Sequence, residues 1–396
     1  GAWGVGFALS AFWALPLLAR VRGFTADMNW SPVPYIRMVD GVAVNNVFPR
    51  EMIILIVLGV IGAGWALLRR YDVGPMIWLG AIAAAGFFVI DWIGFTKLYN
   101  ARLLPYWYYT VFFLAGTAGG LVVVEIARRV TRRRAALVAG TALASVFFLV
   151  AGLVSLSFAA GWARWNYTGY EGKGAWPEYE GLLQRVSELP PGRVMWEANR
   201  EMDKYGTPMA LMLLPYWTDE SHPSMEGLLF ESSLTTPFHF LNAAEVSERP
   251  SNPVRGLNYH TRSFDRALEH LPLYNVEYYV AFTDESKAKA DAALERLFES
   301  PPWVVYRLPD SSLVDVATTV PAVYEGGDFL DAALNWYDRV DRLDQWLVAD
   351  GPEEWPRVDD PEQPFPDRST PVTTAGTVSD IVLEDHRIAF STTAIG

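Results

Sequence analysis

The chain has 396 residues, 51% of them hydrophobic, with 16 tryptophans, no cysteine and a formal net charge of −13. Without cysteine there is no disulfide framework, thiolate nucleophile or cysteine-based metal site, and the acidic balance excludes an extended nucleic-acid surface, which needs clustered Lys and Arg. Through residue 159 Lys plus Arg outnumber Asp plus Glu by 13 to 6, and beyond it they trail by 19 to 39, so charges of +7 and −20 predict two different physical environments.

Five apolar segments pass the length and composition test for spanning helices: residues 1–19, 52–68, 75–95, 106–126 and 135–158. Small residues recur inside them, as at Gly80, Ala83, Ala84 and Gly86, which predicts close helix packing. The expected fold is therefore a membrane all-α helical bundle of about five transmembrane helices over residues 1–159. An extracytoplasmic α/β domain is expected over residues 160–349, then a Pro- and acid-rich linker over residues 350–371 and the start of a β-rich module over residues 372–396. Because the chain opens on Gly1 in an already apolar run and stops inside a strand pattern, it is expected to be a fragment of a longer protein.

Arg69 and Arg70 follow the second segment, and Arg128, Arg129, Arg132, Arg133 and Arg134 follow the fourth. By the positive-inside rule those loops face the cytoplasm, which places residues 20–51, 96–105 and everything after residue 159 outside a plasma membrane crossed several times. The loop over residues 20–51 carries Trp30 and Tyr35, which suit interfacial anchoring.

The second outer loop, KLYNARLLPYWYY, holds Lys97, Tyr99, Arg102 and Trp107 at headgroup depth. An Arg fork there suits a phosphate through paired hydrogen bonds, or it snorkels to the interface. Asp91, near the outer end of the third segment, is either a functional acid or a partner of Lys97 or Arg102. Glu125 has Arg128 and Arg129 three and four residues on, a structural pairing.

In the second part, helix is expected over residues 179–189, 225–232, 237–247, 264–271, 284–299 and 329–347, and strand over 193–197, 276–282, 303–308 and 312–316. This alternation predicts an α/β domain. Its most apolar stretch, residues 206–242, is too short of continuous apolar sequence to cross a bilayer and concentrates Glu226, Glu231 and His239, candidates for structural or secondary roles. The five histidines show no metal-binding spacing, so neither a metal site nor another cofactor is expected.

The runs YNARLLPYWYY, WNYTGYE, GTPMALMLLPYWT, SMEGLLFESSLTTPFHFLN and SNPVRGL resemble actinobacterial polytopic membrane proteins labelled 6-pyruvoyl-tetrahydropterin synthase-related, which look like GT-C glycosyltransferases of the YfhO type. The pterin chemistry implied by that label needs clustered histidines, which this sequence lacks. The resemblance implies hexosyl or pentosyl transfer from a polyprenyl-phosphate sugar donor to an envelope glycan acceptor, next to a lipid bilayer and with no nucleic acid. It further implies an acidic catalytic base in sequence preceding residue 1, and leaves room there for a divalent metal. Lys97, Arg102, Asp91, Trp107 and Tyr99 would then contact substrate. The alternative is a non-enzymatic membrane protein whose outer domain binds a glycan or a partner.

Overall fold

In the computed structural model the described residues are 4–12, 15, 32–39, 42–93, 99–155, 157–225, 235–254, 256–309, 312–360, 376–384 and 387–393. They fall into two compact units, one spanning mainly residues 27–169 and the other mainly the chain from residue 170 onward.

The first unit opens on a hairpin of β1 (Ile36–Val39) and β2 (Val42–Asn45). Five helices follow: α1 (Ile53–Leu68), α2 (Gly74–Trp92), α3 (Leu104–Arg128), α4 (Arg133–Ser155) and α5 (Ser157–Tyr167). Helix α3 is the hub. Met52 and Leu55 beside and within α1 pack on Val111 and Ala115 of α3. Gly62 of α1 lies so close to α3 that a Cβ there would run into the Leu114 carbonyl oxygen. Gly80 of α2 faces Thr110 of α3, whose hydroxyl donates to the Tyr106 carbonyl at 3.0 Å and to that of Met76 at 3.4 Å. Small residues thus set the helix spacing, as close packing between apolar helices requires.

The five-span bundle expected from sequence is corrected here. Among the described residues two helices are long and apolar enough to cross a membrane, Asn100–Arg128 and Arg133–Val150. Helix α1 has 16 residues, a rise of about 24 Å against the roughly 30 Å of a hydrocarbon core. The apolar part of α2 is likewise short, Gly74–Ile90. Of the first expected segment only residues 4–12 and 15 are described, as helix.

The second unit is built on a mixed four-stranded sheet in the order β3, β4, β6, β5. Strand β3 (Arg193–Trp196) lies parallel to β4 (Val276–Ala281), whereas β6 (Trp303–Arg307) is antiparallel to both β4 and β5 (Glu295–Ser300). Alternating side chains feed two cores, as strand geometry dictates. Val194, Trp196, Tyr278, Val280, Trp303 and Val305 join Tyr179, Leu182 and Val186 of α6 (Trp176–Ser187) on one face. Met195, Tyr279, Ala281, Val304 and Tyr306 meet three helices on the other: α7 (Thr236–Val246), α8 (Phe264–His270) and α9 (Asp284–Ala293).

Buried Glu197, just after β3, locks this layer to α9. Its carboxylate accepts from the Phe282 and Thr283 amides at 2.8 and 2.7 Å and from the Thr283 hydroxyl at 2.7 Å, and Thr283 in turn caps α9. The helix expected over 284–299 stops at Ala293, because Glu295–Ser300 pairs with β6 as a hairpin strand and buries Phe298. Tertiary pairing overrides local helix propensity there.

Beyond the sheet, β7 (Ala322–Tyr324) is flanked by parallel partners β8 (Leu347–Val348) and β9 (Arg357–Val358), over a small core with α10 (Phe329–Tyr337). Helix α10 ends at Tyr337 rather than at 347, and the expected linker contains strand β9. Residues 312–316 form no strand. A hairpin of β10 (Val378–Glu384) and β11 (Arg387–Thr392) completes the described chain, with Ile381, Leu383, Ile388 and Phe390 exposed.

Candidate functional site

Two places were singled out by sequence, and the structure treats them differently. Arg102 sits exposed in a 3-10 turn, Asn100–Leu103, that runs straight into α3. The turn is pinned by buried Asn100, which accepts from the Val33 amide at 2.8 Å and donates to the carbonyls of Val33 and Phe87 at 3.0 and 3.3 Å. Half-buried Tyr99 precedes the turn. Trp107 is not an open platform: its indole N–H donates to the Val47 carbonyl at 2.8 Å and its ring meets Phe48 edge-on. Asp91 falls in the last turn of α2. Lys97, Glu226 and Glu231 lie outside the described residues. His239 is buried in α7 with its ring 6.0 Å from that of Trp196, a core position.

A site that local motifs do not reveal lies elsewhere in the second unit. A cleft of about 320 Å³ opens between α7, α8, the end of α10 and the loop over residues 256–260, within the size range of small-ligand pockets. Asp338, the C-cap of α10, stands at its centre. Its Oδ1 meets His260 Nε2 at 2.6 Å and accepts from Arg266 Nη2 at 3.0 Å, while Oδ2 accepts from Asn258 Nδ2 at 3.0 Å. Partial burial raises the Asp338 carboxyl pKa, but the hydrogen bonds from His260 and Asn258 and the charges of His260 and Arg266 outweigh it. The group is held below the ordinary aspartate range and stays ionised.

The cleft floor is a second, buried network. Arg266 Nε reaches Glu245 Oε1 at 3.4 Å, and the Glu245 carboxylate lies 2.9 Å from His270 Nδ1. The other ring nitrogen of His270 donates to the Tyr337 carbonyl at 2.9 Å, since a carbonyl oxygen can only accept. The imidazole stacks on the Tyr337 ring with centroids 3.8 Å apart, and the Tyr337 hydroxyl donates to Asn242 Oδ1 at 2.5 Å. Arg266 therefore bridges a buried carboxylate below and a half-exposed one above, so its guanidinium is held in one orientation.

The lining also includes Asp331 and Asn335, with Leu241, Leu257 and Leu334 as apolar walls. Three carboxylates against one arginine leave the cleft short of positive charge, which disfavours an anionic ligand. Asn258, Asn335, His260 and Arg266 present donors, the carboxylates and amide oxygens present acceptors, and the leucines cover apolar edges. Among the described residues no group of three or more His, Asp or Glu side chains is placed to hold a metal ion.

Sequence reasoning missed this site because its parts lie far apart in the chain. His260 and Asp338 are 78 residues apart and Arg266 and Asp338 are 72 apart, so no short spacing joins them. Comparison with protein-family models, with curated proteins and with solved structures finds no match.

Proposed function

We propose that this is a membrane-associated protein that binds a neutral, hydroxyl-rich ligand, a short stretch of envelope glycan, in the cleft around Asp338, with that unit outside the plasma membrane. The observation that carries the reading is the Asn258–His260–Arg266–Asp338 network. It fixes a carboxylate, an imidazole and an amide with alternating donor and acceptor roles over a cleft that lacks the positive excess an anion would need. Sugar hydroxyls, each donor and acceptor at once, match such a lining. Asp338 is committed to three hydrogen bonds and held ionised by them, which favours binding over proton transfer.

A second reading, glycosyl transfer from a polyprenyl-phosphate sugar, is favoured by one observation: Arg102 is exposed in a pinned turn at the head of the longer of the two described helices able to cross a membrane by length and composition. Fixed positive charge there would stabilise a phosphate leaving group.

One experiment addresses both. The full chain in lipid nanodiscs is titrated with neutral and with sulfated oligosaccharides by calorimetry, and separately with a short-chain polyprenyl phosphate. Neutral oligosaccharides should bind saturably, and Asp338→Ala should weaken that binding about tenfold, the scale of a lost charge-assisted hydrogen bond. Absence of saturable binding, or an unaltered affinity in Asp338→Ala, defeats the cleft reading. Polyprenyl-phosphate binding lost in Arg102→Ala, with glycan binding intact, would select the second reading.

A further inference from the structure

One end of the first unit gathers cations from three helices. Arg69 caps α1, Arg128 ends α3, Arg129 caps it, and Arg132, Arg133 and Arg134 fill the turn into α4, all of them exposed. Among the described residues a single carboxylate answers them by contact. Glu125 accepts from Arg69 Nη2 at 3.2 Å and from Arg129 Nη2 at 3.1 Å, and Arg128 Nη1 stands 3.7 Å from it.

Three guanidiniums on one carboxylate leave an uncompensated double positive charge at that spot, and Arg132, Arg133 and Arg134 raise it. The placement serves the helices only in part, since Arg69, Arg128 and Arg129 stand at helix C-termini, where cations are favoured. Arg133 and Arg134 lie in the first turn of α4, which contains no acid, where the helix dipole disfavours cations. It does serve an anionic surface: α3 and α4, the two helices long enough to cross a membrane, meet at this turn, so the arginines stand at the level where an apolar span gives way to headgroups.

We propose that this arginine cluster is a docking surface for anionic phospholipid headgroups, whose phosphates take the guanidinium donors that Glu125 leaves over. Arginine suits the role because its planar fork meets phosphate oxygens two at a time. Glu125 competes with those phosphates for the guanidiniums of Arg69, Arg128 and Arg129. The inference is independent of the glycan cleft.

The test uses the full chain in nanodiscs of phosphatidylcholine alone or with phosphatidylglycerol, released into mild detergent for native mass spectrometry. Phosphatidylglycerol should be retained in preference to phosphatidylcholine, and the triple variant Arg132→Gln, Arg133→Gln, Arg134→Gln should lose most of that preference, about fivefold per arginine. Should the triple variant fail to insert, Glu125→Gln decides: with a competing anion removed, phosphatidylglycerol retention should rise. Equal retention of the two lipids, or a fall in Glu125→Gln, overturns the proposal. Millimolar inorganic phosphate that raises the melting temperature in phosphatidylcholine discs as much as phosphatidylglycerol does would assign the cluster to free phosphate instead.

Discussion

The turn at Arg102 and the cleft at Asp338 are organised by opposite means. In the turn one side chain does the fixing: Asn100, two residues from Arg102, bonds to backbone groups of Val33 and Phe87, and the next residues begin α3. The cleft is assembled from α7, α8, α10 and a loop, and its side chains hold one another through hydrogen bonds across more than seventy residues of chain. The turn depends on one buried side chain and on packing between helices, whereas the cleft depends on a polar network that must be complete. Each should therefore fail under a different substitution.

The largest effect is expected at the buried base of the cleft. Glu245→Ala strands His270 and one side of Arg266, and breaking a buried charged pair costs about 4 kcal/mol. Denaturant unfolding of the second unit, followed by near-ultraviolet dichroism, measures it. Glu384→Ala, which removes only an exposed contact to Arg387, should stay within about 0.5 kcal/mol. Equal costs for the two would erase the distinction between network and surface.

Next comes the helical unit, where overpacking is the weak point. Gly62→Leu forces α1 away from the Leu114 carbonyl and should cost about 3 kcal/mol, whereas Gly64→Leu, which meets open space, should be tolerated. Thermal unfolding in detergent compares the pair, and similar melting temperatures would show that α1 and α3 do not pack as described.

The smallest effect is a pH dependence. The folded Asp338 carboxyl has its pKa lowered, so its contribution is present above about pH 4, the ordinary aspartate range, and is lost as pH falls through the folded value. Because the group is over a third exposed, the gain is discounted by solvent to under about 1 kcal/mol. Asp338→Asn should lower stability at neutral pH by up to about that 1 kcal/mol and flatten the acid limb, the two proteins converging at low pH. A parallel limb in both proteins would remove the charge from the account of the cleft.

What could be read from sequence follows the same division. Apolar runs over 52–68, 75–95, 106–126 and 135–158 coincide with helices because periodicity and composition act locally. The number able to cross a membrane was overestimated, because 16 apolar residues in α1 look like a span in composition and fall short of one in length. Strands β3, β4 and β6 were legible from β-branched and aromatic runs at Val194–Trp196, Tyr278–Val280 and Trp303–Tyr306. Strand β5 was not, since Glu295–Ser300 has a helix-like composition and becomes a strand only by pairing with β6. The cleft was illegible for a stronger reason: Asn258, His260, Arg266 and Asp338 are ordinary surface residue types until the fold brings them together.

Tyr337 and Asp338 are consecutive, yet one belongs to the buried network and the other to the cleft. A ligand bound as proposed at Asp338 would perturb the neighbouring Tyr337 carbonyl, to which His270 donates, so the imidazole N–H beneath would serve as a spectroscopic gauge of occupancy. Shut away from solvent, the ring proton donated to the Tyr337 carbonyl should exchange slowly and resonate far downfield of the amide envelope, where a shift on adding ligand can be followed without any label in the site.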